Sequence, residues 1–158
     1  KHKILIGKKI KNICKENNVK FLINDDPILA KRLCADGCHL GQKDVNIKEA
    51  RKIIGKKIIG ITCHNSITLA KIAIKAKASY IALGAFYSSK TKKTSHEANI
   101  KILKKIKKIT KTPIVAIGGI YSENYKNLLL NNANFLAISG YIWNNKKYKP
   151  LEALERLK

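Results

Sequence analysis

Two acids stand side by side, Asp25 and Asp26 in "VKFLINDDP", in a chain that carries 33 basic residues and 10 acidic ones. Adjacent carboxylates repel one another unless solvent or a cation separates their charges. A further acid, Asp44, ends the segment "GQKD". If Asp25 and Asp44 come from neighbouring strand ends, the two carboxylates can share one hard cation. Magnesium suits such a pair, because it takes one or two protein carboxylates and fills its remaining positions with phosphate oxygens and water. Neutral Asn24 can hydrogen-bond an oxyanion beside them without adding repulsion. Lys92 lies among the hydroxyls of "GAFYSSKTKK", where it can grip a second anionic group. The glycine pair of "GGI" (118–120) and the Ser139-Gly140 step suit phosphate, since glycine lets main-chain N–H groups approach an anion closely and a following helix adds a favourable dipole. Other polar residues have plainer readings. Asp26 before Pro27 reads as a helix N-cap and Asp36 in "ADG" as a turn residue. His39 fits either a satisfied core histidine or a place at the site.

These residues need strands to carry them. Short β-branched runs at 19–24, 37–40, 57–62, 80–84, 113–118 and 134–139 alternate with helical patterns near 28–34, 46–54, 65–77, 96–109, 122–131 and 149–157. An amphipathic helix opens the chain, with Ile4, Ile6, Ile10 and Ile13 at helical spacing. Pro27 suits the first turn of a helix, and Ser122 followed by Glu123 reads as an N-cap. Alternation of this kind implies right-handed crossovers and a parallel sheet, in an α/β fold. It is compatible with an open doubly wound sheet and with a (β/α)8 TIM barrel. In both, function gathers at the C-terminal strand ends, where nearly all the unusual residues fall. If "GGI" and Ser139-Gly140 close the last two strands of a barrel, the six strands read here lack the first two. A start at Lys1 without methionine fits the same expectation of a missing N-terminal segment. With no linker or composition shift, residues 1–158 are expected to form a single (β/α) barrel domain.

The composition excludes several classes. No window reaches the roughly 18 uninterrupted apolar residues of a membrane span. Cys14, Cys34, Cys38 and Cys63 contain no CxxC pair, and Cys34, Cys38 and His39 lack a fourth zinc ligand. Reduced thiols of a cytoplasmic protein are the better reading. The formal charge of +23 raises nucleic acid as a partner, but only Arg32, Arg51 and Arg156 are arginines and few aromatics interleave with the lysines. The excess charge is better suited to drawing in anionic substrates.

The segments "FLINDDPILAKRLCADGCHLGQKD", "GITCH", "ALGAFYSSKTKK" and "PIVAIGGI" resemble the thiamine-phosphate synthase family in order and spacing, across essentially the whole chain. The resemblance implies a (β/α)8 barrel and a transferase that joins hydroxymethylpyrimidine pyrophosphate to a thiazole phosphate, giving thiamine phosphate and pyrophosphate. It implies Mg²⁺ ligands at Asp25 and Asp44, and pyrophosphate contacts from Asn24, Thr62 and Lys92, the three residues carrying catalysis. It further implies that Ser89 and Thr91 contact the thiazole partner and that Gly119, Ser139 and Gly140 form its phosphate cup. The family's Gln-x-Arg-x-Lys segment is absent, so the chain by itself is expected to be inactive. The alternatives are a thiazole tautomerase of the same fold, disfavoured by Ala85 where that group has a histidine, and a non-catalytic remnant that binds a phosphate ligand.

Overall fold

The computed structural model describes residues 2–88 and 97–158. The helices are α1 (His2–Glu16), α2 (Pro27–Arg32), α3 (Ile47–Ile54), α4 (Ile67–Lys75), α5 (Lys101–Lys107), α6 (Tyr125–Leu130), α7 (Gly140–Trp143) and α8 (Pro150–Glu155). The strands are β1 (Leu22–Asn24), β2 (Gly37–Leu40), β3 (Ile58–His64), β4 (Tyr80–Gly84), β5 (Ile114–Ile117) and β6 (Phe135–Ala137). They form one sheet in the sequential order β1-β2-β3-β4-β5-β6. The pairs β1/β2, β2/β3, β4/β5 and β5/β6 are all parallel. A doubly wound sheet reverses its strand order at a switch point, whereas a barrel adds each strand beside the last. The observed order is the barrel's, with six of its eight strands among the described residues.

Two compact units make up the chain, residues 1–62 with 75–79 and residues 63–74 with 80–158. In the first, Leu22, Ile23 and Asn24 pair with Gly37, Cys38 and His39, and Gly37 to Leu40 pair with Ile58 to Ile61. Leu33, Leu40, Ile47, Ile54 and Ile59 form its core. Each such buried side chain contributes roughly 1.5–3 kcal/mol. Asp26 caps α2 as the sequence suggested, its carboxylate accepting from the Leu29 N–H at 2.8 Å with Pro27 in the first turn. Asp36 does more than turn the chain. Its carboxylate accepts from the Phe21 N–H at 2.9 Å, and its own main chain bonds Phe21 and Ile58, so it joins the starts of β1 and β3.

The opening helix forms as expected, but its isoleucine stripe is not the packed face. Ile6, Ile10 and Ile13 are exposed, while Gly7 is buried against Leu33, where any added Cβ would overlap the Leu33 methyl. Close approach at a glycine decides the packing there, ahead of side-chain hydrophobicity.

In the second unit the core is Ile81, Leu83, Leu103, Ile106, Ile114, Ala116 and Leu128. Several boundaries differ from the sequence pattern. β1 begins three residues later than the apolar run, and β3 continues to His64. α6 begins at Tyr125 after Asn124, so Ser122 is not its N-cap. Short α7 follows β6 directly and has too few residues to leave a periodic signal. No helix among the described residues is long and apolar enough to cross a membrane.

Candidate active site

Four residues expected from the sequence lie in the first unit: Asn24 and Asp25 at the end of β1, Asp44 in the turn after β2, and Thr62 near the end of β3. β1 stops where Asp25 adopts the left-handed region, with φ 63°. Its N–H donates to the His39 carbonyl at 2.7 Å, which ties the end of β1 to β2 beyond the ladder. The Asn24 carboxamide donates to Asp25 Oδ2 at 3.3 Å, and both residues are exposed. After β2 the chain folds back so that the Gly41 N–H donates to Asp44 Oδ2 at 2.7 Å. Asp44 is thereby oriented by the main chain through one of its two oxygens.

Thr62 is held twice. Its hydroxyl lies 2.9 Å from His39 Nε2, and its carbonyl accepts from the Gln42 carboxamide. His39 is half-buried, and alternation along β2 puts it on the opposite face from buried Cys38. That separation, two faces of one strand, removes the superficial Cys34-Cys38-His39 cluster. Burial holds the His39 pKa below its ordinary value, against an opposing pull from the Asp44 charge. The imidazole is therefore neutral in neutral solution and supplies one donor and one acceptor.

The second unit presents main chain where the first presents carboxylates. Gly118 and Gly119 end β5 with φ of 98° and 64°, a region that glycine alone enters without strain. A Cβ on Gly119 would stand 2.5 Å from the carbonyl oxygens of Tyr87 and Ser88, and one on Gly118 would overlap Ala85. The loop after β4 is laced to this turn, with the Phe86 N–H on the Ile117 carbonyl and the Tyr87 N–H on the Gly118 carbonyl, both at 3.1 Å. Ser139 precedes α7, and its carbonyl accepts from the N–H groups of Ile142 at 3.0 Å and Trp143 at 2.9 Å. The Tyr141 hydroxyl lies 2.9 Å from Ser122 Oγ, joining α7 to the turn after β5.

Ser89, Thr91 and Lys92 lie outside the described residues. The structure adds contacts that the sequence did not single out, from His39 and Gln42 to Thr62 and from Asn124 to the glycine turn. Residue order gives no sign of the His39–Thr62 pair, because the two are 23 residues apart in sequence. Asn124 carried a usable signal, a carboxamide a few residues beyond "GGI" in a turn.

Comparison with known proteins agrees with this fold. A family model described as thiamine monophosphate synthase matches residues 3–142. The chain is similar to the thiamine-phosphate synthase of Pelagibacter ubique (strain HTCC1062), 68% identical over 157 residues, covering 99% of this chain and 76% of that protein. It is similar to the thiamine-phosphate synthase of Erythrobacter litoralis (strain HTCC2594), 40% identical over 151 residues, covering 94% of this chain and 71% of that one. Among solved structures, a thiamine phosphate pyrophosphorylase from Pyrococcus furiosus superimposes with a TM-score of 0.90 at 28% identity, covering 99% of this chain and 74% of that chain.

Proposed function

The chain belongs to the thiamine monophosphate synthase family, and on that premise we propose a role for each group of strand ends in thiamine-phosphate synthase chemistry. The reaction is a transferase step. The bond from the pyrimidine methylene carbon to the diphosphate oxygen breaks, the oxygen keeps the electron pair, and the thiazole nitrogen attacks the same carbon. Thiamine phosphate and pyrophosphate are the products.

One observation supports the assignment of the first unit: Asp44 is held by the Gly41 N–H at 2.7 Å after β2, the strand that pairs with β1, and β1 ends at Asn24 with Asp25 next in the chain. Two oriented carboxylates are hard oxygen donors, and a divalent cation such as Mg²⁺ accepts such a set when phosphate oxygens complete it. Asp25 and Asp44 would hold it there, and when bound it supplies positive charge against the leaving diphosphate. Asn24 and the Thr62 hydroxyl donate to diphosphate oxygens. Lys92, from the loop after β4, adds a charge-assisted contact to the same group. These residues lower the barrier by stabilising charge that grows on the leaving group, and they require no strong base.

Ser89 and Thr91 belong to the thiazole partner. In the second unit, Gly119 and the Ser139-Gly140 step receive its phosphate on main-chain N–H groups. Holding the thiazole nitrogen in line with the methylene carbon converts capture of the pyrimidine-methyl cation into a positional problem. The setting of such a reaction is the cytoplasm, where both phosphorylated substrates are retained.

The test is formation of thiamine phosphate by the full-length protein from the two phosphorylated substrates, with and without Mg²⁺. Metal-dependent turnover that is lost in Asp25→Ala and Asp44→Ala supports the assignment. Turnover indifferent to Mg²⁺ and to both substitutions overturns it.

A further inference from the structure

Asn124 heads α6, the position where an asparagine ordinarily accepts a hydrogen bond from the first turn of its helix. It makes no such bond. Its carboxamide turns back onto the preceding loop instead, donating from Nδ2 to the Gly119 carbonyl at 2.9 Å and accepting at Oδ1 from the Tyr121 N–H at 2.9 Å. The two bonds fix the orientation of the amide, since only the oxygen can face an N–H and only the nitrogen a carbonyl. The Asn124 carbonyl in turn accepts from the Tyr87 hydroxyl at 3.2 Å, which reaches it from the loop after β4.

This arrangement aims the glycine turn. A trans peptide is planar, with its carbonyl and N–H on opposite sides. Drawing the Gly119 carbonyl toward Asn124 therefore sends the Ile120 N–H away from α6. A turn with positive φ at two successive glycines has many other paths open to it, so it needs an external tie to hold one. Asn124 supplies that tie, and it is half-buried among the loops it joins.

We propose that Asn124 is the positioning residue of the thiazole-phosphate subsite, its carboxamide setting the path of the Gly119 main chain on which that phosphate rests. The inference rests on the reading of Gly119 as phosphate-binding main chain. Asn124 itself need not touch the substrate. Its loss releases the turn, so the penalty falls on the phosphate of one substrate.

The experiment compares thiazole phosphate with its dephosphorylated alcohol as acceptors for the full-length enzyme. Asn124→Ala is expected to raise the KM for thiazole phosphate about tenfold, the scale of two modest hydrogen bonds. The KM for the pyrimidine diphosphate should stay within about twofold, and the preference for phosphate over alcohol should shrink. Asn124→Asp keeps the acceptor for Tyr121 but loses the donor to Gly119, and should shift the preference in the same direction. It gives the same readout should the alanine variant fail to fold. If both KM values rise together while the preference is intact, Asn124 is merely structural and the proposal fails. Gly119→Ala separates the two claims. If it leaves the preference unchanged, the phosphate reading of the turn is wrong. If it collapses the preference and neither Asn124 variant does, only the positioning role is wrong.

Discussion

The strand ends of the first unit and those of the second are built from different materials. The first uses side chains, carboxylates oriented by main-chain and amide donors and a threonine held by His39 and Gln42. The second uses bare main chain, two glycines in the left-handed region and a turn tied down from outside. On the proposed function, the difference matches the ligand. A diphosphate that must leave needs concentrated charge that responds as the bond breaks. A phosphate monoester that only anchors its substrate needs close, neutral donors that do not compete with the reaction.

The comparison can be broken most severely on the carboxylate side. Asp25→Ala or Asp44→Ala should lower turnover by on the order of a thousandfold, the scale of losing preorganised electrostatic stabilisation. Excess Mg²⁺ should not restore it, and thiazole-phosphate binding, followed by calorimetry, should persist. Near-normal rates in both variants would remove the metal assignment. Lys92→Ala should cut turnover by at least about tenfold through loss of a charge-assisted contact, and unchanged kinetics would make that loop a bystander.

On the glycine side, Gly118→Ala should cost about 1–3 kcal/mol in urea unfolding, because a side chain must be accommodated at positive φ against Ala85. A neutral result would show that the turn tolerates side chains. Thr62→Val should raise the KM for the pyrimidine diphosphate several-fold, in keeping with about 1 kcal/mol for one hydrogen bond, and leave the thiazole-phosphate KM alone.

The smallest effects are in pH. The Phe21 N–H bond holds the Asp36 carboxyl below its ordinary 3.8, assisted by Lys20. Its stabilisation is full above 3.8 and fades as pH falls through the lower folded value. Asp36→Asn should flatten that acid limb of a stability profile. Burial pushes the Cys63 thiol from 9.0 up to about 12. Its stabilisation is full below 9.0 and is lost as pH rises toward about 12, so Cys63→Ala should flatten the alkaline limb instead.

Much of this molecule is readable in one dimension. Strands leave short β-branched runs, and all six appear in the sheet close to where the pattern put them. Asp26 and Pro27 mark a helix start by local chemistry alone. Which residues fall near strand ends is also legible, because the strands themselves are. Ser122 was misassigned as a cap because a serine before a glutamate carries the same local signature whether or not the helix begins there. The helix starts at Tyr125, after Asn124, whose side chain bonds the glycine loop and not the helix.

The sequence by itself determined the strand–helix alternation, the residues at the strand ends and, through the combination of "HLGQKD" and "AIGGI", the family. Those depend on local propensity and on chemistry written in residue types. Only the tertiary structure decided which face of α1 packs, that His39 and Gln42 hold Thr62, and that the Asn124 carboxamide bonds the Gly119 carbonyl. Each of these depends on a partner brought near by the fold, and a close approach or a hydrogen-bond direction has no counterpart in residue order.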